Sequence, residues 1–259
     1  MDVKKVLQEA ESLSKELDNR LKALAEALSS VLATGAAVQM LPQTAQQRNI
    51  ELQFHDVFTT FKRRIENGVL HIINATVELS KTDKNFVKSE LAADLKKFVD
   101  FVYNLRKDQE PIDGYVKDLL EKNKTLQQVC GISDHTLDMF YKAAKYIFEQ
   151  HQFEQAADAF GFLTIVNSKK ASFWLGLGNA EYQCARFEPA LLALTFAKAL
   201  DPSNPIPYIQ AARCYEKINQ IDFAMHSLQV ALDLMGNRTE HSGLRKIVQQ
   251  HKNALEQRR

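Results

Sequence analysis

Glycine and proline are scarce in this chain, 9 and 6 among 259 residues. Turn-rich β architectures depend on both at their corners, so the shortage argues against them and favours long helices. Cysteine is scarcer still: Cys130, Cys184 and Cys214 are odd in number and far apart. That excludes a disulfide scaffold and any zinc site built on C-x-x-C spacing, and it fits a reduced, cytosolic compartment. Net charge is nearly absent, +1 from 33 basic and 32 acidic side chains, so no bulk attraction to nucleic acid or to a membrane surface is expected. No apolar run reaches the 18 or so residues needed to span a bilayer. The charged start MDVKKVLQEAESLSKEL lacks the apolar core of a signal peptide.

Catalytic signatures are missing as well. The chain holds no P-loop, H-E-x-x-H or G-x-S-x-G pattern. His55 and His71 have no neighbours at metal-ligand spacing, so neither a metal nor a cofactor is expected, and no enzymatic activity. Gly176-Leu177-Gly178 lacks the third glycine of a nucleotide loop and falls inside a helical pattern. The short basic runs Lys62-Arg63-Arg64 and Arg258-Arg259 read as solvated faces.

What remains is helical periodicity, in a chain that is 45% hydrophobic and 25% charged, the balance of a core-forming protein. Residues 3–33 carry Leu17, Leu21, Leu24, Leu28 and Val31 on one helical face. After a break at Gly35 and Pro42, a second helix is predicted over 48–79 with Phe54, Phe58, Phe61, Ile65, Val69 and Ile72 inward; Gly68 marks a close contact or a break. A third is predicted over about 83–106, and a fourth from Pro111 through Leu126 to just before Gly131. These four form the expected N-terminal bundle, residues 1–132. Its aromatic residues read as core.

The second half, residues 133–259, is periodic at 34 residues, the period of the tetratricopeptide repeat. In the stretch FWLGLGNAEYQCARFEPALLALTFAKALDP, Trp174, Leu177 and Gly178 occupy a first helix and Ala190, Leu194 and Ala197 a second; Trp174 and Leu194 are expected to fill the core between them, and Pro202 closes the unit. The same register gives Phe140, Ala143 and Ala144 with Ala156, Phe160 and Leu163 one repeat earlier, and Tyr208, Ala211 and Ala212 with Ala224, Leu228 and Ala231 one repeat later. The reading is an all-α chain: a helical bundle, three repeats at about 137–170, 171–204 and 205–238, and a capping helix at 241–257. Ser133 is the expected N-cap of the first repeat helix, and the final helix covers the apolar face that repeat three would otherwise expose.

In a right-handed stack of such repeats the first helix of each lines a concave groove. Tyr141, Lys145 and Phe148, then Leu175, Asn179, Tyr182 and Gln183, then Ile206, Ile209 and Arg213 fall at groove positions. Apolar anchors interleaved with hydrogen-bonding side chains suit an extended peptide. Gly176 and Ile206 stand where a clamp for a C-terminal carboxylate would place polar groups, so that use is excluded.

The run at 173–178 (FWLGLG) with Gln183 and Phe187, followed by Leu200-Asp201, Pro205 to Tyr208 and Ala211-Ala212-x-Cys214, resembles the class II chaperones of bacterial type III secretion, the translocator chaperones. The resemblance covers about residues 133–236. It implies a non-catalytic, three-repeat protein of the bacterial cytoplasm. Such a protein holds an extended segment of a secreted translocator client and keeps it soluble and export-competent. Tyr141, Phe148, Leu175, Tyr182 and Ile209 would seat the client's anchors. The family's N-terminal extension is short, whereas 132 residues precede the repeats here. That added region is open to several roles: a homodimer contact, a second client site, a dock on the export machinery or a cover for the groove. The competing reading is a scaffold joining two protein partners, one on each half.

Overall fold

The computed structural model describes residues 64, 67–76, 78–79, 94, 124–236 and 242–258. The helices expected at 3–33 and from Pro111 to 123, residues 48–63 of that expected at 48–79, most of that expected at 83–106, and the linker between the first two helices lie outside these residues. Every regular element among the described residues is helical. In chain order they are α1 (Leu126–Cys130), α2 (Asp134–Glu149), α3 (Phe153–Val166), α4 (Ala171–Gln183), α5 (Phe187–Leu200), α6 (Ile206–Lys217), α7 (Ile221–Met235) and α8 (Ser242–Glu256), preceded by a helical segment at 67–76.

The pairs α2–α3, α4–α5 and α6–α7 follow the 34-residue period, with α2 starting ahead of the first window at Asp134, and from α2 onward each helix packs on the next in sequence. Backbone geometry repeats with the sequence. His151, Ala185 and Asn219 occupy the same place in successive windows, and all three are left-handed, with φ of 61°, 58° and 59°. At each turn the following residue donates its N–H five residues back: Gln152 to the Ile147 carbonyl at 3.2 Å, Arg186 to Glu181 at 2.9 Å and Gln220 to Tyr215 at 2.8 Å. This is the hydrogen bonding of a left-handed helix stop, and it reverses the chain within three residues.

Small residues let the paired helices close up. Ala143, Ala144, Ala156, Ala190, Ala197, Ala211, Ala212, Ala224 and Ala231 are all fully buried. At Gly178 a Cβ would stand 2.8 Å from Leu194 Cγ, closer than side chains tolerate. Trp174 departs from its expected core role. Phe173 is the buried residue of the pair, whereas the Trp174 ring lies at the edge of the repeat, stacked on Phe196 at 4.5 Å, with its indole N–H donating to the Ser168 carbonyl at 2.8 Å. A polar N–H that needs a partner holds the indole at the rim.

Ser133 caps α2 as expected, its hydroxyl accepting the Thr136 N–H at 3.1 Å. The buried Asp94 carboxylate adds to that cap, accepting from the Ser133 N–H at 2.9 Å and the Thr136 hydroxyl at 2.8 Å. Negative charge is stabilised at a helix N-terminus. The predicted fourth helix does not run unbroken to Cys130. Lys124 and Thr125 are non-helical, and Thr125 starts α1 with a reciprocal capping box to Gln128. Gly131 ends it in the left-handed region, φ 65°.

The segment at 67–76 packs directly on the repeats. Val69, Ile72, Ile73 and Ala75 share one cluster of buried residues with Phe140, Phe160, Phe162 and Leu177. Gly68 is a contact point: a Cβ there would run into the Asp158 carbonyl oxygen and the Phe162 Cβ. Arg64 is correspondingly not a solvated residue. Its side chain lies against Gly161 and its guanidinium pairs with Glu181, a carboxylate 1% exposed in α4 that also pairs with Arg186. At the far end α8 seats Val248 and Leu255 against Leu228, Leu232 and Met235, as a cap should.

Candidate functional site

The first helices of the repeats, α2 and α4, form the walls of a cleft of about 300 Å³ lined by Tyr141, Lys145, Phe148, Glu149, Phe160, Leu175, Gly176 and Asn179. Five of the expected groove residues therefore meet in one place. Tyr141 is half-buried, its ring 5.5 Å from Phe173 and edge-on to Phe160 at 6.0 Å. Burial pushes its phenol above the usual range, although a hydrogen bond with Ser172 works the other way. Phe148 is braced by Phe153 at 5.3 Å. Lys145 and Glu149 are exposed, placing one charge of each sign among the aromatic walls, while Asn179 offers an amide from the facing helix.

Phe160 is the lining residue that the groove pattern missed, since it comes from α3, the second helix of its repeat. The signal was present in the register. Repeats two and three carry Leu194 and Leu228 at the same place, and Gly176 of repeat two stands where repeats one and three carry Lys142 and Gln210. A ring in place of a branched chain, opposite a missing side chain, reaches through to the groove.

The other expected groove residues lie outside this cleft. Tyr182 is half-buried, edge-on to Phe187 at 5.7 Å, with the Arg213 guanidinium 4.7 Å from its ring centroid. Arg213 also donates to Gln210 at 3.1 Å. Ile209 packs with the core of repeat three. Ile206 is half-buried, its N–H held by the Asn204 side chain at 3.0 Å, and Gln183 is exposed. An aromatic cleft thus lies at repeats one and two, and a cation stacked on tyrosine lies at two and three.

Glu216, on the helix that carries Arg213, is engaged from the capping helix by His251 at 2.8 Å and by the surface residue Arg258. Burial raises the Glu216 pKa, but the hydrogen bonds and charges of His251 and Arg258 outweigh it, and the carboxyl titrates below its ordinary range. The thiols are poor nucleophiles. Burial pushes Cys130 up to about 12, and Cys184 and Cys214 up to about 11, well above neutral pH. No group of three metal-ligating side chains occurs among the described residues, and no helix among them is long and apolar enough to cross a membrane.

No known protein-family model matches the chain. Low calcium response locus protein H of Yersinia pestis is 23% identical over 129 residues, half of this chain and 77% of that protein. Among solved structures, a type III secretion complex from Aeromonas hydrophila aligns over 56% of this chain and 97% of its own, with a TM-score of 0.53 and 19% identity. The type III secretion translocator chaperone SycD of Yersinia enterocolitica aligns over 51% of this chain and 98% of its own, with a TM-score of 0.49 and 24% identity. About half of this chain is thus similar in sequence to low calcium response locus protein H and in fold to the Aeromonas type III secretion complex.

Proposed function

We propose that this protein is a type III secretion chaperone whose concave face takes up an extended segment of a secreted client, a translocator or effector, and keeps it soluble for export from the bacterial cytoplasm. The observation that carries the reading is the convergence of Tyr141, Phe148, Phe160 and Leu175 on one cleft with Lys145, Glu149 and Asn179 at hand. An apolar client side chain fills the cleft. The amide and charged groups meet the polar backbone on either side, which an extended chain leaves unpaired. Tyr182, Gln183, Ile206, Ile209 and Arg213 contact the stretch that continues along repeats two and three. The work done on the client is burial of its aggregation-prone apolar residues, and none of it needs catalysis.

Affinity purification of the full chain from its native cell, with mass spectrometry of what co-purifies, tests this. A secreted, membrane-active protein is expected, and it should be lost from the Leu175→Asp variant while helical content stays the same. Recovery only of cytosolic assembly partners, indifferent to Leu175→Asp, would favour the scaffold reading instead.

A further inference from the structure

Repeat two carries an exposed apolar stripe on its second helix. Leu192, Phe196 and Leu200 are 62%, 45% and 41% exposed, and they stand four residues apart, on one face of α5. The 34-residue register maps them onto Asp158, Phe162 and Val166 of repeat one, which are 7%, 2% and 0% exposed. The difference comes from what lies on α3: Gly68 sits against Asp158 and Phe162, and Asn67 reaches the Asp158 carboxylate at 3.5 Å. In repeat one this face is covered by the chain's own helical segment, and in repeat two the same face is apolar and bare among the described residues. Repeat three places His226, Val230 and Leu234 there, so the stripe is peculiar to repeat two.

The covering segment reaches from repeat one to repeat two. Going upstream along it, the contact moves from Asp158 and Phe162 at Gly68 to Gly161 and then Glu181 at Arg64, and Glu181 already belongs to repeat two. The chain thus arrives at the boundary of repeat two with 63 residues still preceding it. A helix advances about 1.5 Å per residue, so a helix continued upstream of Arg64 would span about 10 Å, the spacing of packed helices, in roughly seven residues. Upstream of Arg64 the sequence carries Phe61, Phe58 and Phe54 at helical spacing.

We propose that the stripe Leu192–Phe196–Leu200 is the docking site for residues 54–61 of the same chain, with Phe54, Phe58 and Phe61 lying against it as Gly68 and Ile72 lie against repeat one. This face is on the far side of the repeats from the cleft. On α3, Phe160 points into the cleft, and Asp158 and Phe162, two residues to either side, point away from it toward Gly68. The N-terminal region then stiffens the outer surface of the solenoid and leaves the concave face open to a client.

Trp174 is the only tryptophan of the chain and stacks on Phe196, so it reports on this surface directly. In the full-length protein, Phe58→Asp combined with Phe61→Asp should shift Trp174 emission to the red and increase its quenching by acrylamide, with far-ultraviolet dichroism unchanged. Leu192→Lys combined with Leu200→Lys should do the same from the other side of the contact. These two positions are exposed in the repeats themselves, so this arm decides the matter even if the phenylalanine variant loses helicity. Unchanged quenching in the lysine variant overturns the proposal. So does protection of Trp174 that vanishes on dilution together with a halving of the particle mass, which would assign the stripe to a second copy.

Discussion

Arg213 holds its guanidinium 4.7 Å from the centre of the Tyr182 ring, joining repeats two and three. The stack occupies one face of the tyrosine and fixes the orientation of both side chains. A cation over an aromatic face at a partly exposed site contributes about 0.5–1 kcal/mol. Arg213→Ala should lower unfolding free energy by about that amount, and a double-mutant cycle with Tyr182→Leu should show that the two losses do not add. Additive losses in urea denaturation would mean that the pair is not coupled.

Ala185 sits in the left-handed region at the turn between α4 and α5, where a Cβ is disfavoured. Ala185→Gly relieves that strain at some cost in unfolded-chain entropy, and a net gain of up to about 1 kcal/mol is expected. Ala185→Val, β-branched at the same φ, should lose stability. Thermal melting of the two variants checks the sign.

Gly178 has the opposite requirement, because its neighbour is a packed side chain. Leu194 is fully buried and its Cγ would lie 2.8 Å from a new Cβ. Gly178→Leu should destabilise the repeats by about 1–3 kcal/mol or more, since neither helix can retreat without opening its other contacts. A melting temperature equal to that of the parent would contradict the packing described.

His71, on the helical segment that covers α3, has its pKa lowered from its ordinary value of 6.5, with burial as the larger cause and the Asp158 charge opposing it. The unfolded chain therefore takes up this proton first as pH falls. Stability from neutral, half-buried His71 is complete above 6.5 and is lost as pH drops below it. The parent protein should lose melting temperature more steeply than His71→Gln between about pH 7 and about pH 5.5. Parallel profiles would remove His71 from the account.

The repeat half was legible because its constraints are local and recur. Small residues at fixed offsets, a proline after the second helix and an N-cap serine each act within one unit, so one correctly placed register generates the next. The same arithmetic singled out Tyr141, Lys145, Phe148, Leu175 and Asn179, and these five line one cleft. Periodicity assigns a residue to a face but cannot say how far its side chain reaches. Phe160 therefore went unnoticed in the cleft, and Trp174 was placed in the core when its indole N–H keeps it at the edge.

The sequence by itself determined the helices of residues 133–259, their order and the face each turns inward, since helical period and turn chemistry are properties of neighbouring residues. Only the tertiary structure decided what lies against what across long separations. Arg64 neutralises Glu181 across 117 positions, and Asp94 caps a helix that starts 40 residues later. Val69 and Ile72 join the core of repeat one, where an amphipathic pattern alone would allow any apolar partner. A hydrophobic face specifies that it must be buried, and the shape of the opposing surface, here a glycine against a helix backbone, specifies where.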